Sequence, residues 1–449
     1  MRDLTNGNEA KLIFKFAVPM VIGNLFLQLY NIVDSIIVGQ ILGTEALAAV
    51  GASFPIFYTL IAFIIGIGSG ATVVISQYFG ARNYDMVKKA ISTIYIFMFL
   101  AGITLTIIGI TFSNEIFDLL GLGDDVKPQA MEYFNIYMLG MIGFFGFNGT
   151  SSILRGLGDS KTPMILMCVS TIVNILLDLL FILVFKWGIA GAAWATIIAQ
   201  GGAFIGAIFY LNQKEHLIHF SFERFSFNKK VFWQSIRIGL PTGFQQTFVA
   251  LGMMALIRII NNFDTSTLAA YTAASRIDAL ASMPAITLSS ALSAFVGQNL
   301  GAGQSGRVKK GVMAALKMAW TISLTVMVIV FFFGEQLIQF FNNDPEVIRQ
   351  GKEYLVIVSS FYVIFSSMFV LHGTLRGAGD TIIPMFITLI SLWLVRIPFA
   401  WFLSEKYGET GIWWSIPSGW ILGMVATWIY YRTGRWKRKV VVRENEILD

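Results

Sequence analysis

ILRGLGDSKTPM (residues 153–164) returns as TLRGAGDTIIPM (residues 374–385), so that Arg155 is matched by Arg376, an offset of 221 in the numbering. The same offset aligns SQYFGARNYDMVKKA (76–90) with GQNLGAGQSGRVKKG (297–311), Glu132-Tyr133 with Glu353-Tyr354, and Leu47-Ala48-Ala49 with Leu268-Ala269-Ala270. Several separate matches at one spacing mark an internal duplication. Within the motif, glycine supplies the positive φ of a tight turn, aspartate accepts from its own backbone, and arginine meets the last carbonyls of a helix. The motif therefore reads as a hairpin cap between two helices.

The chain around this motif is apolar. Of its 449 residues 56% are hydrophobic and 13% charged, with a mean hydropathy of +0.70, whereas a soluble domain carries roughly 25% charged residues. A membrane-spanning helix needs about 20 mostly apolar residues. Twelve such segments stand near 12–37, 46–70, 88–111, 130–153, 163–185, 189–211, 233–259, 267–293, 309–333, 351–374, 382–403 and 411–431. The expected fold is an all-α integral membrane protein. Six spans per half is an even number, so both halves insert in one orientation, as a parallel pseudo-two-fold repeat with a central cavity between two six-helix bundles. The expected division is an N-lobe over 1–211, a cytoplasmic linker over 212–232, and a C-lobe over 233–449 ending in a basic tail.

With the N-terminus inside, 23 lysines and arginines fall on the cytoplasmic side and 5 outside. Basic residues in short loops prefer the cytoplasm, so both termini are expected there, in a multi-pass protein of the cell (inner) membrane. The net charge of +6 is thus topological, and no nucleic-acid partner is expected. The polar start MRDLTNGNEAKLIFKF shows no cleavage site of a signal peptide. Cys168 is alone, which excludes a disulfide framework, and His216 with His219 lacks an acidic or thiol partner to complete a metal site. An enzyme is not expected, because the embedded His372 has no adjacent serine or acid to form a catalytic pair. A channel would carry a symmetric selectivity ring.

An ionisable group at the bilayer centre costs roughly 2.5–3.5 kcal/mol, so it faces the bundle interior and marks a pathway. In STIVNILLDLLFILVF (170–185), Asn174 and Asp178 stand four residues apart on one helix face and direct their oxygens the same way. At about 1.5 Å per residue, Asp178 in span five and Thr196 in span six reach the same depth. In span one, Gln28, Asn31 and Asp34 fall three apart along one side, and Pro19 removes a backbone hydrogen bond where that helix can bend. The offset of 221 takes Asp34, Asn148, Asn174, Asp178 and Thr196 to Ala255, Phe369, Val395, Phe399 and Pro417. These polar groups therefore belong to one lobe, which points to a coupling-ion site in the N-terminal half. The second half has embedded charges of its own in Arg276, Asp278 and Arg396, read as ion pairing that sets helix packing.

Twelve spans in two repeats, LRGLGDSKTPM, a proline in span one followed by YNIVDSIIVGQ, and Asn-x-x-x-Asp in span five together resemble the multidrug and toxic compound extrusion (MATE) family over about residues 11–432. Within it the chain resembles the DinF-like branch. That resemblance implies a cation site at Asp34, Asn174, Asp178 and Thr196, a bending proline at Pro19, and a cavity lined by Tyr30 and Asn148 beside Gln28 and Asn31. Acids that the NorM-like branch carries in spans seven and ten are missing, apart from Glu353 at the outer start of span ten. The implied function is antiport: inward H+ or Na+ drives amphipathic or cationic drug-like compounds outward by alternating access. No cofactor is implied beyond the coupling ion, and carboxylate, amide and hydroxyl oxygens suit either a proton or Na+. The expected setting is a monomer in the lipid bilayer. The alternative in the same superfamily is a flippase or exporter of a lipid-linked or polysaccharide substrate.

Overall fold

The computed structural model describes residues 2–119, 122, 126–214 and 226–442. His216, His219, Arg224, Arg443 and the end of the basic tail lie outside the described residues, as does the middle of the 212–232 linker. Every regular element among the described residues is helical.

The first eight helices are α1 (Glu9–Ile37), α2 (Thr44–Gly80), α3 (Tyr84–Thr111), α4 (Ser113–Leu119), α5 (Lys127–Leu139), α6 (Met141–Gly156), α7 (Lys161–Leu179) and α8 (Ile189–Lys214). The other eight are α9 (Lys229–Ile260), α10 (Thr265–Gly301), α11 (Ser305–Gln339), α12 (Pro345–Ser360), α13 (Tyr362–Gly377), α14 (Ile382–Leu389), α15 (Ile397–Tyr407) and α16 (Glu409–Thr433). These account for all twelve expected spans: α5 with α6 is span four, α12 with α13 span ten, and α14 with α15 span eleven. Among the described residues eight helical stretches, α14 with α15 taken as one, are long and apolar enough to cross a membrane, and α12 with α13, bent by 50°, makes a ninth candidate.

Local chemistry sets the helix starts. Asn83 Oδ1 accepts from Met86 N at 3.1 Å ahead of α3. Asp264 Oδ1 takes Thr267 N at 2.8 Å ahead of α10. Asp344 takes Glu346 N at 2.8 Å ahead of α12, where Pro345 occupies the first helical position and needs no partner for a missing N–H.

The duplication is structural as well as textual. Moved by the spacing that carries Arg155 onto Arg376, α2, the start of α3 and the end of α6 coincide with α10, the start of α11 and the end of α13, and the break at Gly140 falls on the break at Phe361. Packing repeats too: α2 against α6, α3 against α6 and α6 against α8 in one half match α10 against α13, α11 against α13 and α13 against α16 in the other. In both LRG-x-GD turns the second glycine has positive φ, 84° at Gly158 and 91° at Gly379, which a side chain would strain. The following aspartate in each half accepts from a tyrosine near the end of that half's sixth span: Asp159 from Tyr210 at 3.4 Å, Asp380 from Tyr430 at 2.5 Å.

Lipid tails are as apolar as the side chains they touch, so helix association rests on close packing of small residues. The contact of α6 with α8 shows this. A Cβ on Gly140 would lie 2.1 Å from Ile197 Cγ2, and one on Gly143 would lie 3.0 Å from the Cα of Gly201.

Two compact units result, one comprising residues 1–3 and 18–237, the other 4–17 and 238–449. Helix α1 is continuous through Pro19, yet its first residues, up to Ala17, group with the second unit and Val18 onward with the first. Within the second unit, Gln298 Oε1 accepts from Leu4 N at 2.9 Å, Asn299 Nδ2 donates to Leu4 O at 3.1 Å, and Arg307 pairs with Glu9 at 3.3 Å. These contacts hold the start of the chain in place.

Candidate functional site

The polar residues expected to share one depth in the N-terminal half come together inside the first unit. Asp34, Asn174, Asp178 and Thr196 are all buried, Asp178 with no exposed surface at all. Helix α1 brings Asp34, α7 brings Asn174 and Asp178 from one face, and α8 brings Thr196. Thr196 Oγ1 is the junction: it meets the Tyr30 hydroxyl at 3.0 Å and accepts from Asn174 Nδ2 at 3.4 Å. Asp34 and Asp178 are close enough to interact electrostatically.

The oxygens left over define the site's chemistry. Asp34 Oδ1, Asn174 Oδ1 and both carboxylate oxygens of Asp178 are buried without a hydrogen-bond partner. An orphaned buried acceptor costs about 1–3 kcal/mol, and more when charged. Four such acceptors, from two helices, are buried within one unit. No group of three or more histidines, cysteines or carboxylates able to hold a metal ion occurs among the described residues. Wider π-helical turns follow each carboxylate, Val38–Leu42 after Asp34 and Leu180–Val184 after Asp178. Such turns give a helix local freedom and gather at functional sites.

Other expected residues are placed differently. Asn148 donates its amide to Phe144 O at 2.9 Å, one turn back on its own helix, so its N–H serves α6 and not the cluster. Gln28 is half-buried and Asn31 exposed, and neither forms a hydrogen bond to the cluster. Of the four residues expected to line the cavity, only Tyr30 is bonded to the cluster, through Thr196. Pro19 stands about four turns from Asp34 on the same helix.

Two tyrosines join the site without having been picked out as site residues. Tyr133 interacts electrostatically with Asp34 and Asp178, and Tyr137 with Asp34. Both are held by Phe57 on α2, whose ring centroid lies 6.0 Å from that of Tyr133 and 4.1 Å from that of Tyr137. The sequence did carry a signal, because Glu132-Tyr133 is one of the pairs that the duplication repeats, as Glu353-Tyr354. It reads as scaffold until the helices are packed.

Compared with known proteins, the chain matches the family model MatE twice, over residues 19–180 and 241–402, one match in each half. It is 33% identical over 439 residues to the "Probable multidrug resistance protein YpnP" of Bacillus subtilis (strain 168), covering 97% of each chain. It is 29% identical over 461 residues to the "Probable multidrug resistance protein NorM" of Thermotoga maritima, covering 98% of this chain and 96% of the other. Among solved structures it is similar to the "Outward-facing conformation of a multidrug resistance MATE family transporter of the MOP superfamily", with a TM-score of 0.90 at 25% identity over 97% of this chain and 98% of that one.

Proposed function

The chain belongs to the MatE family, and from that premise we propose that it is a secondary multidrug efflux transporter that exchanges H+ or Na+ for amphipathic or cationic organic compounds. The observation that carries this reading is the set of four orphaned oxygens on Asp34, Asn174 and Asp178, all buried in one unit. The names of the relatives, multidrug resistance proteins, supply the substrate class.

The residues account for coupling as follows. Without a bound cation, Asp34 and Asp178 repel each other in a medium that screens poorly. A proton or Na+ cancels that repulsion and draws Asp34 toward Asn174 and Asp178. Asp34 and Pro19 share α1, and Tyr30 on the same helix is bonded to Thr196. Ion binding therefore acts on the helix that contains the missing backbone hydrogen bond, and a change in its course alternates access to the site. Tyr137, half-buried against the buried Phe57 and Tyr133, provides an aromatic ring with a polar tip, suited to amphipathic compounds of varied shape. The protein lies in the cell membrane with both termini cytoplasmic, in keeping with the charge of its loops.

The test is efflux of a fluorescent organic cation from proteoliposomes under a pH gradient alone and a Na+ gradient alone. Transport under one gradient names the ion. Equal rates with both gradients collapsed or present exclude coupling.

A further inference from the structure

Beyond α16 the chain folds back on the second unit as a fixed turn. Gly434, with a φ of 68°, ends the helix in the left-handed conformation, and Arg435–Lys439 form a short 3-10 helix. Trp436 is buried: its ring stacks on that of Tyr431 with centroids 5.4 Å apart, and its Nε1 donates to Tyr431 O at 3.0 Å. Val442 is buried as well, and Lys439 O comes so near the second LRG-x-GD turn that a Cβ on Gly379 would lie 2.9 Å from it. The side chains that this anchored turn presents are cationic. Arg432, Arg435, Lys437, Arg438 and Lys439 are all exposed, and no acid interrupts residues 432–443. None of the five forms an ion pair among the described residues; Glu444, Glu446 and Asp449 lie outside them.

The cations continue a stripe of α16 that is exposed and apolar. Ile421, Val425 and Trp428 follow one another at steps of four and three residues, Arg432 takes the next step of four, and all of them are exposed on one face. The Arg432 guanidinium stands 5.5 Å from the centroid of the Trp428 ring, and Lys437 Nζ 5.6 Å from that of Trp436. Tryptophan favours the level where acyl chains meet headgroups, and a long cationic side chain one turn beyond reaches the phosphates. Apolar, aromatic and then cationic is the order of an anionic phospholipid read from tail to headgroup. A soluble acidic partner accounts for the cations but not for the stripe that leads to them. At the spacing of the repeat the five cations fall on Leu211, Lys214, His216, Leu217 and Ile218, so the six-helix unit does not itself require the cluster.

We propose that Arg432 and the Arg435–Lys439 turn bind the headgroup of an anionic phospholipid whose acyl chains lie along Ile421, Val425 and Trp428 of α16. The turn is already folded, so little ordering is spent when the lipid binds, and each cation near the headgroups strengthens binding about fivefold. Through the contact of Lys439 O with the Gly379 turn, the bound lipid also steadies the cap between α13 and α14. The site is independent of the ion and of the compound transported.

The test titrates the delipidated full-length protein, in a neutral detergent, with phosphatidylglycerol, with phosphatidylcholine of the same acyl chains, and with glycerol 3-phosphate. Bound molecules are counted by native mass spectrometry and melting is followed in parallel. The variants are Arg435→Gln with Arg438→Gln, Trp428→Ala, and Lys309→Gln with Lys310→Gln, which removes the same charge from exposed lysines at the start of α11. The expected result is that the wild type prefers phosphatidylglycerol about tenfold or more over the other two ligands, that the Arg435 and Arg438 double variant loses about 25-fold, at about fivefold per cation, that Trp428→Ala loses a few-fold, and that the Lys309 and Lys310 double variant keeps wild-type affinity for the first lipid bound. Equal losses in the two double variants overturn the proposal, because the attraction is then a matter of net charge, and so does no loss at Arg435 and Arg438. Glycerol 3-phosphate bound as tightly as the lipid also overturns it, since the turn then holds a free phosphate ester. Melting without lipid shows whether each variant folds; if the double variant melts lower, Arg438→Gln alone, with its expected fivefold loss, decides.

Discussion

Replacing Asp178 by asparagine keeps the shape of a side chain with no exposed surface and removes its charge. The amide brings N–H donors into a cluster whose Asp34 Oδ1 and Asn174 Oδ1 lack partners. Asp178→Asn therefore imitates the ion-bound state. At an effective dielectric of about 20, two unit charges about 5 Å apart repel by roughly 3 kcal/mol. Relief of a third to all of that stabilises the ion-free protein by about 1–3 kcal/mol, which raises the melting temperature of a domain of roughly 200 residues by about 2–10 °C. Under the proposed coupling, an ion supplies this stabilisation in the wild type instead, about 2.7 kcal/mol when present at 100 times its dissociation constant. The assay is thermal melting in detergent, with and without Na+ and at two pH values, together with gradient-driven efflux. The variant is expected to melt higher without ions, to respond little to either ion, and to lose gradient-driven efflux. Full efflux in Asp178→Asn, or an ion response equal to that of the wild type, refutes the reasoning.

Three further outcomes follow from the same geometry. Tyr30→Phe removes the hydroxyl contact to Thr196 at 3.0 Å, and a loss of about 1 kcal/mol should weaken ion affinity about fivefold in a titration of ion-dependent melting, without abolishing transport. Pro19→Ala restores a backbone hydrogen bond inside α1 and should slow efflux while leaving ion binding intact, so a drop in both would assign Pro19 to folding. Gly140→Ala puts a methyl group 2.1 Å from Ile197 Cγ2 and should cost about 1–3 kcal/mol through overpacking, read as a lower melting temperature. Gly202→Ala is its control, because a Cβ there meets nothing within 4 Å.

Much of the architecture was legible before any coordinates because its causes are local. Lipid demands about 20 apolar residues per span wherever the span lies, and the constant spacing between the two halves is plain in the letters. The correspondence of Gly140 with Phe361 shows that even the broken helices obey it. The site was legible in part. Asn174 and Asp178 share a face by helical spacing alone, and counting residues placed Thr196 at their depth. Tyr133, Tyr137 and Phe57 were not legible as site residues, because an aromatic in an apolar run looks the same whether it touches a carboxylate or a lipid tail.

What the sequence by itself determined is therefore the height of each group in the membrane, the repeat, and the confinement of Asp34, Asn174, Asp178 and Thr196 to one half. What only the tertiary structure decided is direction around each helix axis. It turned Asn148 toward Phe144 O, left Asn31 exposed, joined Tyr30 to Thr196, and set the Tyr362 hydroxyl against Asp278 from a separate helix. The physical reason is that hydropathy and rise per residue measure position along a helix, whereas the angle at which a side chain leaves it acquires meaning only when a second helix packs alongside.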